Sequence, residues 1–179
     1  MNVRQCTVAI EVKKTPMRQV WKPSVTVAAI VERDTRFLRV EEHTPDGLRL
    51  NNPAGHLEPG ESPLDGAVRE ALEETARVFT PDALLGVYLA RTRRAGEDTT
   101  YLRLAFRGSV GEPIAGRELD AGIVRCVWLT ADEVRASRAR HRSPLVWQCV
   151  ADHVAGRRLP LEAVYSDPSA LGAAGGLRP

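Results

Sequence analysis

With 179 residues, 43% of them hydrophobic and 27% charged, the chain is long enough for one domain with a sizeable core and has ordinary globular polarity. A formal charge of +2 is too small to point to a nucleic-acid or membrane surface as partner, and no apolar run reaches the length of a bilayer span. Cys6, Cys126 and Cys149 stand far apart without a CxxC pair, which argues against a disulfide framework or a thiolate zinc site and fits reduced thiols in a cytoplasm.

Residues 1–20 are expected to form an N-terminal extension or an extra edge strand. The segment 5–12 (QCTVAIEV) has strand character, the KKTP that follows reads as a linker, and Met17 is a candidate natural start. Glu11, Lys13 and Lys14 interrupt the weakly apolar run, so a secretory leader is not expected. Residues 21–31 (WKPSVTVAAIV) predict a buried strand by near-continuous apolar character. A polar turn at 32–36 and a strand at 37–42 (FLRVEE) complete an antiparallel hairpin. Pro45 and the Asp46-Gly47 pair mark a turn, and a short strand at 48–52 leads into a glycine-bearing loop.

Further on, 83–92 reads as a strand. The next, at 100–107, alternates cleanly, with Tyr101, Arg103, Ala105 and Arg107 on one face and Leu102, Leu104 and Phe106 on the other. Between them 93–99 (RRAGEDT) predicts a polar hairpin loop. Residues 108–122 form a Gly/Pro-containing loop with Glu112, Glu118 and Asp120, followed by a strand at 123–129 and a short helix capped by Thr130. Ser143 and Pro144 predict an N-cap and first helical position for a longer helix. Residues 166–179, rich in Ala and Gly from Ser169 on, are expected to be a disordered tail. No repeat or boundary divides 21–165.

The chain is organised around residues 55–77, GHLEPGESPLDGAVREALEETAR. Ser62 as N-cap, Pro63 at the first helical position and Asp65 in a capping box predict a helix. Leu64, Ala67, Val68, Ala71, Leu72 and Thr75 form its apolar stripe, with the glutamates expected on the other side. Gly66 costs about 1 kcal/mol against Ala in a helix, which predicts close packing there. Glu70 neighbours both Glu73 and Glu74, and like charges at that spacing cost a few tenths of a kcal/mol per pair. Such a cluster gains a purpose under a cation, and hard oxygen ligands suit Mg²⁺ or Mn²⁺. Arg69 can pair with Glu73 and reach back to Glu61.

This stretch resembles the Nudix box, Gly-x5-Glu-x7-Arg-Glu-aliphatic-x-Glu-Glu-x-Gly-aliphatic. Gly55, Glu61, Arg69, Glu70, Ala71, Glu73 and Glu74 occupy the matching positions. Ala76 and Arg77 depart from the final glycine and aliphatic residue, which touches the exit turn and not the ligands. WKPSVTVA, NNPAGHLEPGE, YLRLAFRG, VWLTADEV, RSPLV and LPLE extend the likeness to the NudJ-type phosphatases over about 21–165. The resemblance implies an α/β fold, the Nudix α/β/α sandwich with mixed sheets. It also implies Mg²⁺-dependent release of orthophosphate from nucleoside tri- and diphosphates and from the pyrophosphates of thiamine and its hydroxymethylpyrimidine precursor. By the same pattern Glu70, Glu73, Glu74 and the Gly55 carbonyl would hold metal, Glu61 and Arg69 would lock loop to helix, and Glu70 is the leading candidate base.

Glu118 or Asp120 is a candidate extra ligand or base, with a solvated-loop role equally open. Arg91, Arg93 and Arg103 are candidate phosphate contacts and Tyr101 a candidate stacking surface. A small nucleotide or pyrophosphate substrate is expected, on a monomer or small homo-oligomer, with no nucleic-acid or membrane partner. Two alternatives compete. An ADP-ribose or dinucleotide pyrophosphatase would usually carry a proline downstream of the box, and none lies between Pro81 and Pro113. A non-catalytic ligand-binding module of the same fold would often have lost box glutamates, which are all present here.

Overall fold

A computed structural model describes residues 20–94 and 96–172; the expected extension, apart from Val20, and the chain from 173 onward lie outside the described residues. β1 (Ser24–Arg33) and β2 (Arg36–Thr44) form an antiparallel hairpin whose turn residues, Asp34 and Thr35, have φ of 50° and 62°. That left-handed pair matches the twist of the flanking strands. β3 (Gly47–Asn51) returns along β2, and the short β4 (Ala54–His56) runs antiparallel to β1 before a loop enters α1 (Pro63–Thr75). β5 (Phe79–Arg94) and β6 (Glu97–Val110) are the long hairpin, and β6 lies parallel to β1. β7 (Ile123–Thr130) pairs with β2 and runs into α2 (Ala131–Ala136), and α3 (Leu145–Val154) follows. The sheet order is β3-β2-β1-β6-β5, with β4 on β1 and β7 on β2, so a parallel pair sits among antiparallel ones.

Alternation along β1 creates two cores. Val27, Ala29 and Val31 pack with Ala67 and Ala71 of α1, while Ala28 and Ile30 pack with Val134 of α2 and Leu145, Val146, Cys149 and Val150 of α3. The sheet is therefore covered by α1 on one face and by α2 and α3 on the other, the expected α/β/α layering.

Several local expectations change. The segment 93–99 is mostly ladder, with Arg93 opposite Asp98 and Arg94 opposite Glu97, so the reversal tightens around Gly96 at φ 84°. Strand pairing across the hairpin outweighs the polarity of RRAGEDT. Pro144, in helical geometry, occupies the cap position of α3, and no side chain caps it; the Ser143 hydroxyl is buried without a hydrogen-bond partner among the described residues. Ala76 takes the left-handed conformation at φ 53° and closes α1 through its N–H to the Leu72 carbonyl at 3.0 Å, a geometry usually given to glycine. Residues 166–172, read as the start of a tail, contain a 3-10 turn at Pro168–Ala170, and the Gly172 N–H donates to the Gly60 carbonyl at 2.8 Å.

Candidate active site

Helix α1 is built at its N-terminus as the sequence indicates. The Ser62 hydroxyl accepts the Asp65 N–H at 3.1 Å, and Pro63 sits in the first turn. Its docking face differs from expectation. Glu70 and Glu74 are buried, with only 9% and 8% of their surfaces exposed, because α1 presses this side onto β4. The Glu74 Oε2 accepts the Ala54 N–H at 2.8 Å. Glu70 lies against Gly55 so closely that a Cβ there would stand 2.2–2.3 Å from its carboxylate atoms. Gly66 makes room in the same way, since a Cβ would meet Glu61 Oε1 at 2.7 Å.

Arg69 ties these pieces together. Its guanidinium donates to Glu61 Oε2 and Oε1 at 2.9 and 2.8 Å, to Glu70 Oε1 and Glu73 Oε2 at 2.8 Å each, and to the His56 carbonyl at 2.9 Å. The fork of Arg suits this convergence, which a lysine point charge could not satisfy. Hydrogen bonding to Glu61 and the charge of Glu70 hold Arg69 firmly protonated. Burial pushes the Glu61 carboxyl up, but Arg69 and the Glu58 N–H, at 2.8 Å, outweigh it and leave it below the usual range. Glu70 is raised by burial first, then by the charges of Glu73 and Asp120, against the pull of Arg69. Glu74 is pushed up to about 8 by burial, with Glu70, Glu42 and Asp120 adding repulsion and the Ala54 N–H opposing it.

The late loop divides. The Asp120 N–H donates to the Glu73 carbonyl at 3.0 Å, which brings its charge to bear on Glu70 and Glu74. Glu118 is exposed, as Asp120 is, but its charge is not among the main influences on Glu70 or Glu74. The arginines divide too. Arg91 and Arg93 both pair with Asp98 across the β5–β6 hairpin, away from the glutamates. Arg103 and Tyr101 instead line a cavity of about 260 Å³ that reaches Gly55.

Sequence reasoning missed the other polar residues of that cavity. Glu42 lies in β2, His56 ends β4 and Ser143 precedes α3, so only the fold brings them together. The His56 and Tyr101 rings stand 6.3 Å apart at 49°.

Among the described residues, no three His, Cys, Asp or Glu side chains already stand in a metal-holding arrangement; the Arg69 guanidinium lies between Glu61, Glu70 and Glu73. The donor set fits a hard divalent cation nonetheless. Glu70, Glu73, Glu74 and the Gly55 carbonyl offer oxygen alone. The mutual repulsion that raises Glu70 and Glu74 is what a cation would relieve.

A family model described as NUDIX domain matches residues 21–148. Phosphatase NudJ of Escherichia coli K12 is 33% identical over 144 residues, spanning 80% of this chain and 92% of that protein. A NUDIX hydrolase from Nitrosomonas europaea matches with a TM-score of 0.75 at 49% identity, covering 82% of this chain and 99% of that one. The NUDIX domain of Shewanella oneidensis NrtR, solved with ADP ribose, matches with a TM-score of 0.58 across 79% of this chain and 94% of that one; at 15% identity the likeness is one of fold alone.

Proposed function

The chain belongs to the Nudix family and is a hydrolase of phosphoanhydride bonds; we propose that it is Mg²⁺-dependent, with Mn²⁺ as a substitute, and releases orthophosphate from nucleoside tri- and diphosphates and thiamine-type pyrophosphates. The observation that carries this reading is the reach of Arg69, which joins Glu61, Glu70 and Glu73 while Gly55 admits the Glu70 carboxylate against β4.

In this reading Glu70, Glu73, Glu74 and the Gly55 carbonyl hold the cation. When bound it neutralises the diphosphate, polarises a phosphoryl oxygen and lowers the pKa of water. Arg69 keeps the loop bearing Glu61 on the helix and so holds the glutamates beside one another at the site. Glu70 accepts the proton of the attacking water, the water oxygen bonds to phosphorus, and the anhydride P–O bond breaks towards the departing phosphate. Asp120 supplies further negative charge at the cation's side. Arg103 and Tyr101 contact the rest of the substrate; Arg91 and Arg93, held by Asp98, take no part.

The cavity, at about 260 Å³, lies at the small end of ligand pockets and suits one ring system better than a dinucleotide. Cys126 and Cys149 are free thiols, which supports a cytoplasmic setting, and no helix among the described residues is long and apolar enough to cross a membrane. Product analysis on GTP, GDP, thiamine pyrophosphate and ADP-ribose tests the reading. Orthophosphate from the first three is expected, whereas AMP from ADP-ribose as the sole activity would overturn the substrate class.

A further inference from the structure

The loop that carries Glu61 is held by a part of the chain far from it in sequence. Residues 159–172 lie beyond the 21–148 of the family match and run from β5 to that loop. Leu159 exchanges two backbone hydrogen bonds with Leu84 of β5, at 2.9 and 3.0 Å. Leu161 and Val164 then pack against the core that α1 covers. Asp167 organises the next turn: its carboxylate accepts the Ser169 N–H at 2.9 Å, the Ser169 hydroxyl at 2.6 Å and the Tyr165 hydroxyl at 3.2 Å. The Gly172 N–H ends the run on the Gly60 carbonyl at 2.8 Å.

Gly60 immediately precedes Glu61. At φ 89° it is in the left-handed region, and a Cβ there would stand 3.2 Å from the Gly172 nitrogen, so glycine serves both the turn and the close approach. Within the loop the Glu61 N–H reaches the Glu58 carbonyl only at a long 3.5 Å, so the shorter bond from Gly172 is the firmer backbone restraint. Arg69 holds the Glu61 side chain, and the C-terminal segment holds the backbone one residue away. We infer that residues 159–172 form a strap that positions the Glu61 loop for catalysis, acting through Gly172 on Gly60. Because Arg69 also holds Glu70 and Glu73, a loop that drifts with Glu61 disturbs the guanidinium that joins them. This inference rests on the proposed hydrolysis only for its kinetic test.

Gly172→Pro removes the N–H, and a chain ending at Ala170 removes the residue itself. With Mg²⁺ and GDP, both are expected to lose about tenfold in kcat, with KM within about twofold of the wild type and a melting midpoint within a few degrees. In hydrogen–deuterium exchange, amides across 57–62 are expected to exchange at least about threefold faster, and those in the middle of α1 at the wild-type rate. Gly172→Ala keeps the N–H and sets its Cβ 3.6 Å from the Gly60 carbonyl oxygen, an ordinary contact, so both kcat and exchange are expected to recover. Faster exchange across 57–62 in both variants of a protein whose wild type turns over no phosphoanhydride would uphold the strap's hold on the loop while sinking the proposed hydrolysis. A kcat within about twofold of the wild type in both variants overturns the inference, whatever the melting midpoint. So does a loss of kcat with exchange across 57–62 unchanged, or an equal loss in Gly172→Ala.

Discussion

Gly55→Ala is the sharpest local test of how the site is assembled. The new Cβ would lie 2.2 Å from Glu70 Oε2, against 3.4 Å for ordinary van der Waals contact, so the carboxylate must retreat by about 1.2 Å (3.4 − 2.2). A retreat of that size lengthens the present 2.8 Å bond between Arg69 Nη1 and Glu70 Oε1 to as much as about 4 Å, beyond hydrogen-bonding reach. The φ of Gly55 is not in the left-handed region, so alanine brings no backbone strain. The damage should therefore fall on the site and spare the fold. A misplacement of about 1 Å in a reacting group costs on the order of a hundredfold. Orthophosphate release in Mg²⁺ should drop by about that factor, with a melting midpoint within a few degrees of wild type. A Gly55→Ala enzyme with kcat within threefold of wild type would refute the claim that Glu70 acts from its place against β4.

Glu74→Gln keeps an oxygen for the Ala54 N–H but removes a carboxyl that burial makes costly to ionise, so activity should fall at least about a hundredfold while the metal-free protein becomes more stable at neutral pH, by roughly 2–4 kcal/mol. The folded Glu74 carboxyl titrates near 8, above its ordinary 4.5, so its contribution to stability is full below 4.5 and is lost as the pH rises through about 8. Melts in EDTA should show the variant's advantage growing between those values; an advantage that shrinks with rising pH contradicts the burial account. At the end of α1, Ala76→Gly should leave stability within about 1 kcal/mol, whereas Ala76→Val, β-branched at φ 53°, should cost about 2 kcal/mol or more, or roughly 4–8 °C. Equal melting curves for the two would remove the left-handed cap from the argument. Arg69→Lys retains the charge but loses the fork, and kcat/KM should fall about tenfold to a hundredfold at unchanged secondary structure by circular dichroism; full activity would mean that charge alone suffices.

What was legible in the sequence was whatever local spacing dictates. Ser62 and Pro63 start a helix wherever that helix packs, and Glu70, Glu73 and Glu74 are neighbours on any 3.6-residue helix. The direction that face points was not legible, because it depends on where β4 docks. The glutamates assigned to the side away from the apolar stripe are partly buried for that reason. Likewise Arg91, Arg93 and Arg103 look alike along the chain, yet cross-strand pairing gives the first two to Asp98 and leaves Arg103 in the cavity. Asp120 and Glu118 are separated only by a backbone hydrogen bond to Glu73 that no composition encodes. Ser143 was noticed for the right local reason and the wrong role, since Pro144 takes the cap and leaves the buried hydroxyl without a hydrogen-bond partner among the described residues.

The central claim is that the glutamate face of α1 hydrolyses a phosphoanhydride with a divalent cation, and it is tested most directly by orthophosphate release from thiamine pyrophosphate and GDP in Mg²⁺ and again in EDTA. The account predicts turnover in Mg²⁺, none in EDTA, and full recovery when excess Mg²⁺ is restored. Undiminished turnover in EDTA would contradict it, and would move the chemistry away from Glu70, Glu73 and Glu74.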